Sequence, residues 1–350
     1  MEILETIYNY NYHKMTNFLI TGWAWFIWSE LWKFLLKKWH NVKILDNLEY
    51  GYRDNFEDNE ALKNNFFLAD IRDKDFLKYL EWIDIVFHFA WISALPECES
   101  HPDKAFDVNT TWTVNVLNAV RRSNVKRVIF ASTSAIYENN PSDEIHKETD
   151  LVHPNLIYAT TKYCSEQVCK AYAQNYWIDI VIPRFFNVFW PHQDFKRKYP
   201  PFTSFLIREA LAWRKPTIYN TDDCKRDYIY VYDLMEYLYR MALSEKHYEA
   251  EIFNLATWNA YSAIEIAKTI YSAIWKELEY DTWDPLKFRD KYEELFNAKY
   301  NLKKQRVKQE VFKHCLWNWS KVRHEFWYEA KTTLIDGIRE IIEYQKNYKE

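Results

Sequence analysis

Tyr158 and Lys162 stand four residues apart in the segment IYATTKYCSE. On a helix that spacing puts both side chains on one face. A tyrosine is ordinarily protonated at neutral pH, but a neighbouring ammonium favours the phenolate and lowers its pKa. Such a pair supplies a base for a hydroxyl whose carbon gives up hydride. The spacing alone is weakly specific, because two surface residues on any helix match it. Thr133 adds weight. It ends the strand-like run RVIFAST, at the carboxyl edge where the sites of α/β sheets collect, and its hydroxyl can hold the reacting oxygen. Ser132 and Ser134 flank it, and at least one of them is expected only to cap a strand end.

A second group of residues has the makings of a dinucleotide site. The apolar run NFLIT leads into TGWAWFIWSE, residues 21–30, and a helical stretch follows. A dinucleotide turn in that context needs glycines for a tight turn, for close approach of backbone to pyrophosphate, and for helix-on-strand packing. Asp46 closes the next strand about 20 residues on, where an acid would hold a ribose hydroxyl. Of the expected glycines only Gly22 is present. Trp25 and Trp28 take the other two positions, and Trp23 fills a commonly small one. Read alone, the segment is an aromatic core turn. Arg226 carries a planar fork suited to phosphate oxygens, with an ion pair to Asp227 or Asp223 as the equal alternative. His88 lies inside an apolar strand and is expected to be a core residue.

The elements that must position these groups alternate in a regular order. NFLIT (17–21), VKILD (42–46), FFLAD (66–70), IDIVFHFA (83–90), RVIFAST (127–133) and IDIVIPRF (178–185) are strand-length runs. Helices are predicted after the first of them, near 103–123 and near 156–176. Short strands alternating with helices imply βαβ units, and runs as continuously apolar as IDIVFHFA imply a parallel sheet buried on both faces. Beyond Phe186 prolines punctuate a less regular region. YIYVYD (228–233), a helix to about 244 and IFNLA (252–256) follow, and 276–315 is charged and helical in tone. The expected fold is α/β: a Rossmann-type doubly wound parallel sheet over 16–188, with 228–256 returning to it. Residues 189–227 and 257–345 form a smaller substrate-binding cap, and 1–15 an N-terminal extension.

Composition narrows the function classes. The 350 residues carry 46 basic and 50 acidic side chains, a net charge of −4, which argues against a general nucleic-acid or anionic-membrane binder. Apolar runs are too short to span a bilayer. Five scattered cysteines without a CxxC pair, and no secretory leader, point to reduced thiols, a cytoplasmic protein and no metal site. The anomaly is three glycines beside 17 tryptophans. An ordinary soluble chain of this length has about 25 glycines.

Across roughly residues 16–345 the chain resembles the extended short-chain dehydrogenase/reductase family, in particular its NAD-dependent nucleotide-sugar epimerases and dehydratases, UDP-glucose 4-epimerases among them. The matching segments arrive in family order. TGWAWFIWS stands for TGxxGxxGS, then come LDNL (45–48), ADIRD (69–73), HFAWISA (88–94), VNTTWTVNVL (108–117) and FASTSAIYE (130–138). YATTK (158–162) carries the YxxxK pair, PRFFNVFWP (183–191) resembles RxxNVYGP, and KRDYIYVYDL (225–234) resembles the RDxxxVxD segment. The resemblance implies catalysis by Thr133, Tyr158 and Lys162. It implies NAD held by Gly22, Trp25, Phe26, Ile27, Asp46, Asn47, Asp70, Ile71, Phe89, Ala90, Asn109 and Lys162, and a nucleotide sugar held by Ser134, Asn187 and Arg226. A homodimer through the helices near 103–123 and 156–176 is implied as well.

Departures from the family are systematic. Trp25, Trp28, Trp39, Trp82, Trp91, Trp112, Trp177, Trp190, Trp213, Trp258 and Trp327 stand where the family has glycine or a very small residue, as if most family glycines had been replaced by tryptophan. Family dehydratases place an Asp-Glu pair directly after the threonine; here Ser134 and Ala135 follow. The expected activity is therefore 4-epimerisation by transient oxidation at C4 and hydride return. A related decarboxylase, reductase or dehydratase is the alternative within the class. A catalytically silent scaffold, its cofactor turn blocked by indoles, is the alternative outside it.

Overall fold

The structure is a computed structural model that describes residues 15–22, 26–49, 64–93, 95–140, 145–193, 195–196, 200–219, 224–284 and 318–348, without the side chains of 26–29, 95 and 96. The extension before Met15, Trp25 and most of the charged stretch 276–315 lie outside the described residues.

The central sheet is parallel in every pairing. It is built from β1 (Asn17–Thr21), β2 (Asn41–Asp46), β3 (Phe66–Leu68), β4 (Ile85–His88), β5 (Arg127–Phe130), β6 (Ser132–Thr133), β7 (Ile180–Phe185) and a later strand, Glu249–Leu255, at one edge. From that edge the order is Glu249–Leu255, β7, β5, β4, β1, β2, β3, with β6 paired to β7. Between them run α1 (Phe26–Lys37), α2 (Leu95–Ser100), α3 (Pro102–Phe106), α4 (Trp112–Val120) and α5 (Ile157–Tyr176). Strand side chains alternate between the two faces, and the core divides accordingly. Phe18 and Ile20 pack with Leu31, Trp32 and Leu35 of α1 on one face, whereas Leu19 packs with Val116 and Val120 of α4 and Cys169 of α5 on the other. Phe87 and Val86, and Ile129 and Val128, divide the same way. Burial on both faces explains why the strands read as unbroken apolar runs.

The chain leaves this sheet at β8 (Asn187–Phe189) and adds α6 (Phe202–Leu211), β9 (Thr217–Ile218), β10 (Lys225–Tyr230), α7 (Val231–Leu243), β11 (the edge strand Glu249–Leu255), β12 (Ala260–Ser262), α8 (Ala263–Ala273), β13 (Asp281–Thr282), α9 (Ser320–Phe326) and α10 (Leu334–Asn347). β12, β10 and β8 form a three-stranded sheet, and β13 pairs with β9. Helix α10 packs against α6, α8 and β10. It comes so close that a Cβ at Gly337 would lie 2.4 Å from Phe189 Cε2 and 2.7 Å from Tyr230 Cδ2.

Three details differ from the sequence expectation. Of the stretch 228–256, β11 joins the main sheet but β10 belongs to the small one. The run IYVYD turns helical at Val231, where the strand ends and α7 begins. Residues 276–284 are extended around β13 instead of helical.

Candidate active site

The carboxyl ends of β1, β2 and β4 open on one cleft. Its lining includes Gly22, Asp46, Asn47, Asp70, Ile71, Phe89, Ala90, Trp91 and Val108. Gly22 has φ +77° and donates its N–H to Leu45 O at 2.9 Å. A Cβ there would lie 2.4 Å from Ala90 Cα, so both the conformation and the space require glycine. Phe89 N–H bonds Thr21 O at 3.1 Å and fixes Ala90 against that turn. Trp25 lies outside the described residues, and only the backbone of Phe26 and Ile27, the first turn of α1, is described.

At the rim, Asp46 is buried and accepts the Leu48 N–H at 2.6 Å. Asp70 accepts the Arg72 N–H at 2.8 Å, the Arg72 guanidinium at 2.7 Å and the Asn47 amide at 2.7 Å. Its burial opposes ionisation, and those donors outweigh it, holding the carboxyl below its usual range. Lys104 bridges Glu49 at 2.6 Å and Glu97 at 3.0 Å, a cross-link that sequence spacing gave no means to foresee.

Two residues of the cleft lining lead to the expected catalytic group: Ile92 shares a cluster with Tyr158, and Trp91 lies against Lys162. Two carboxylates fix the start of α5: Glu138 Oε1 accepts the Leu156 N–H at 2.7 Å, and Glu99 Oε1 accepts the Ile157 N–H at 2.8 Å. They satisfy donors that a helix N-terminus leaves open, and so position Tyr158 in the first turn. Tyr158 packs among Ile92, Cys98 and Ala105, beside Trp91. The neighbouring Thr133 side chain favours ionisation, yet burial outweighs this and holds the phenol above its ordinary range. The expected lowering by an adjacent ammonium is not realised here. Lys162 Nζ instead lies over the rings of Phe130, 4.2 Å from the centroid, and Trp91, at 4.6 Å. Burial brings its pKa down to about 7. Trp91, part of the cleft lining, thus contacts both the Lys162 ammonium and the cluster around Tyr158.

Asn109 sits in a π-helical turn, Asp107–Thr111, that leads into α4. Its amide accepts the Ile92 N–H at 2.8 Å and donates to Ile92 O and Thr161 Oγ1, each at 3.0 Å. It therefore ties the loop after β4 to α5. His88 bonds Thr21 Oγ1 at 2.9 Å and Thr113 Oγ1 at 3.1 Å inside the sheet. Desolvation takes its pKa down to about 3, as suits a neutral core residue.

A buried network that the sequence did not announce supports all of this. Arg184 donates Nε to Glu166 Oε1 at 2.9 Å and Nη2 to Oε2 at 2.7 Å, with both side chains fully interior. Glu166 also accepts from Ser132 Oγ at 2.5 Å, and Arg184 bonds Tyr137 OH at 2.5 Å. Glu166 follows Lys162 by four residues, so it shares that helix face. The network joins β6, α5 and β7. Ser134 opens a 3₁₀ turn, in which Thr133 Oγ1 accepts the Ala135 N–H at 3.1 Å. Asn187 and Arg226 lie on the small sheet: Asn187 pairs with Tyr228, and its amide donates to Asp227 O at 2.8 Å. Asp227 does not serve as a surface partner for Arg226. It is buried, accepts the Thr257 N–H at 2.9 Å, and desolvation raises its pKa to about 7.

The adenosine side suits a dinucleotide: a glycine turn that admits no Cβ, then carboxylates at Asp46 and Asp70. Comparison with known proteins agrees. Residues 18–256 match the NAD dependent epimerase/dehydratase family. A putative UDP-glucose 4-epimerase of Methanocaldococcus jannaschii is 30% identical over 71% of this chain and 79% of its own. A dTDP-D-glucose 4,6-dehydratase of Bos taurus is 29% identical over 76% of each chain. Among solved structures, a UDP-N-acetylglucosamine 4-epimerase from Methanobrevibacter ruminantium in complex with UDP-N-acetylmuramic acid superposes with TM-score 0.80, at 25% identity over 95% of this chain and 99% of that one. The Thermus thermophilus UDP-glucose 4-epimerase complex with NAD gives TM-score 0.77 at 26% identity, over 95% and 99%. Enzymes throughout, these relatives give no support to a silent scaffold. With its doubly wound sheet and this cleft, the chain belongs to the NAD dependent epimerase/dehydratase family, whose cofactor is NAD.

Proposed function

We propose that the protein is a nucleotide-sugar 4-epimerase. The observation that carries this is Thr133 beside Tyr158, with Lys162 four residues on along α5, and Ser134 and Ala135 directly after Thr133 instead of an acidic pair. Bound NAD supplies reversible storage of the C4 hydride. Tyr158 takes the proton of the C4 hydroxyl, Thr133 holds that oxygen, and Lys162 stabilises the charge that develops on the phenol. Gly22, Phe26, Ile27 and the Trp25 position serve the pyrophosphate, Asp46, Asn47, Asp70 and Ile71 the adenosine side. Phe89, Ala90, Asn109 and Lys162 line the reacting end. Ser134, Asn187 and Arg226 hold the nucleotide sugar, Arg226 by its phosphates. The working form is a homodimer through α4 and α5, in the cytoplasm.

Dehydratases among the relatives make 4,6-dehydration the competing activity, and it requires acid–base groups that Ser134 and Ala135 do not supply. Proton NMR of UDP-glucose, UDP-N-acetylglucosamine and dTDP-glucose reactions separates the two. The proposal expects interconversion of C4 epimers; a 4-keto-6-deoxy product, or a decarboxylated one from UDP-glucuronic acid, overturns it.

A further inference from the structure

Nine described residues other than glycine have positive φ, and seven of them are tryptophan: Trp39, Trp82, Trp177, Trp213, Trp258, Trp275 and Trp327. That region of backbone space disfavours any residue with a Cβ, and where one does occur asparagine and aspartate lead. Three of the seven close the same motif. Trp39 N–H donates to Leu36 O and His40 N–H to Leu35 O. Trp213 and Arg214 do so to Ala210 and Glu209, Trp275 and Lys276 to Ser272 and Tyr271. These paired bonds are Schellman closures, whose left-handed residue is usually glycine. Trp177 and Trp327 are the left-handed caps of α5 and α9. Nor are most of the indoles buried. Trp275 is 96% exposed, Trp39 88% and Trp213 82%, although large aromatic rings are highly buried on average. Trp275 was not singled out by the family resemblance, yet its backbone adopts the same conformation.

Independent mutation would fill glycine positions with a spread of residue types, small and polar ones foremost. One type at nearly all of them is the mark of a single codon read in two ways. UGA has the right chemistry, because it differs by one base from the tryptophan codon UGG and from the glycine codon GGA. We propose that Trp39, Trp82, Trp177, Trp213, Trp258, Trp275 and Trp327 are glycine in the polypeptide that the source organism makes, through one codon decoded there as glycine. Trp91 follows by extension, and glycine there would remove a ring that lines the cleft and lies against Lys162. This extension alone rests on the function proposed above.

The gene and the natural protein supply the first test. The proposal expects one codon, UGA, at all seven positions, and glycine masses in the corresponding peptides of the protein isolated from its source. UGG codons there, or peptides that carry indole, overturn it. A recombinant comparison tests the geometry independently. Trp39→Gly, Trp82→Gly, Trp275→Gly and Trp327→Gly combined should raise the thermal midpoint by roughly 5–10 °C, from relief of left-handed strain. Trp32→Gly, at a buried helical position, should lower it. An unchanged or lowered midpoint in the fourfold variant overturns the geometric argument. Neither readout involves turnover, so failure of the epimerase reading and failure of this inference are distinguishable.

Discussion

Tyr158 and Lys162 are both buried on α5, and burial moves them in opposite directions: the phenol is pushed up and the ammonium down to about 7. Each is drawn toward its neutral form, as desolvation requires. Removing only the phenolic oxygen should therefore cost little in folding and nearly everything in chemistry. Tyr158→Phe is expected to lower kcat by at least about a hundredfold while NAD affinity, read by fluorescence titration, stays within a factor of two or so. Retention of most of the turnover would remove Tyr158 from the mechanism. His88 gives a stability prediction with a definite sign. Its unfolded imidazole takes up a proton near 6.5, whereas the folded one waits until about 3. The unfolded state thus gains protons first, and stability falls as pH drops through that window, by as much as about 5 kcal/mol. Urea titrations of the parent and His88→Gln between pH 7 and 4 check this. The acid slope should flatten in the variant, and parallel slopes would refute the assignment.

At the scale of elements, the Arg184–Glu166 pair shows what holds β6, α5 and β7 in register around Thr133 and Lys162. Breaking a buried pair strands a charge, so Arg184→Met should destabilise by about 3–5 kcal/mol. Glu166→Leu combined with Arg184→Met should lose much less, since no charge remains buried. Denaturant midpoints of the three proteins decide it, and equal losses in single and double variants would contradict the account. This network also marks where sequence reading stopped. Strands β1, β2 and β7 were legible to within two residues, because burial on both faces leaves an apolar run with visible ends. Thr133, Tyr158 and Lys162 could be nominated from the sequence because the matching segments arrive in family order, and their roles are the proposal made above. The bond from Ser132 to Glu166 was not, because the approach of a helix to a strand depends on crossing angle and register that no local pattern carries. The same holds for Trp91 over Lys162. The π-turn at Asn109 also escaped detection, since an apolar spacing near 3.6 does not distinguish one wider turn inside a helix.

For the molecule as a whole, the left-handed tryptophans carry a sizeable backbone strain. Seven left-handed indoles at about 1–2 kcal/mol each come to on the order of 10 kcal/mol, comparable with the entire net stability of an ordinary domain. The proposed exchange bears on function too: the family resemblance puts Trp25 and Trp28 at glycine positions of the dinucleotide segment, and Trp91 is part of the cleft lining. NAD should accordingly bind the tryptophan form at least about tenfold more weakly than the Trp25→Gly/Trp28→Gly/Trp91→Gly form, a difference of about 1.4 kcal/mol. Equal affinities in the two folded proteins would refute the steric argument. The central claim, C4 epimerisation through a stored hydride, is tested most directly in deuterated water. Each form is incubated with NAD and UDP-glucose or UDP-N-acetylglucosamine, and proton NMR reads C4 of the product. The account predicts the C4 epimer with protium retained at C4, because the hydrogen leaves and returns without meeting solvent. Deuterium at C4, loss of water from the sugar, or no epimer from either form would contradict it.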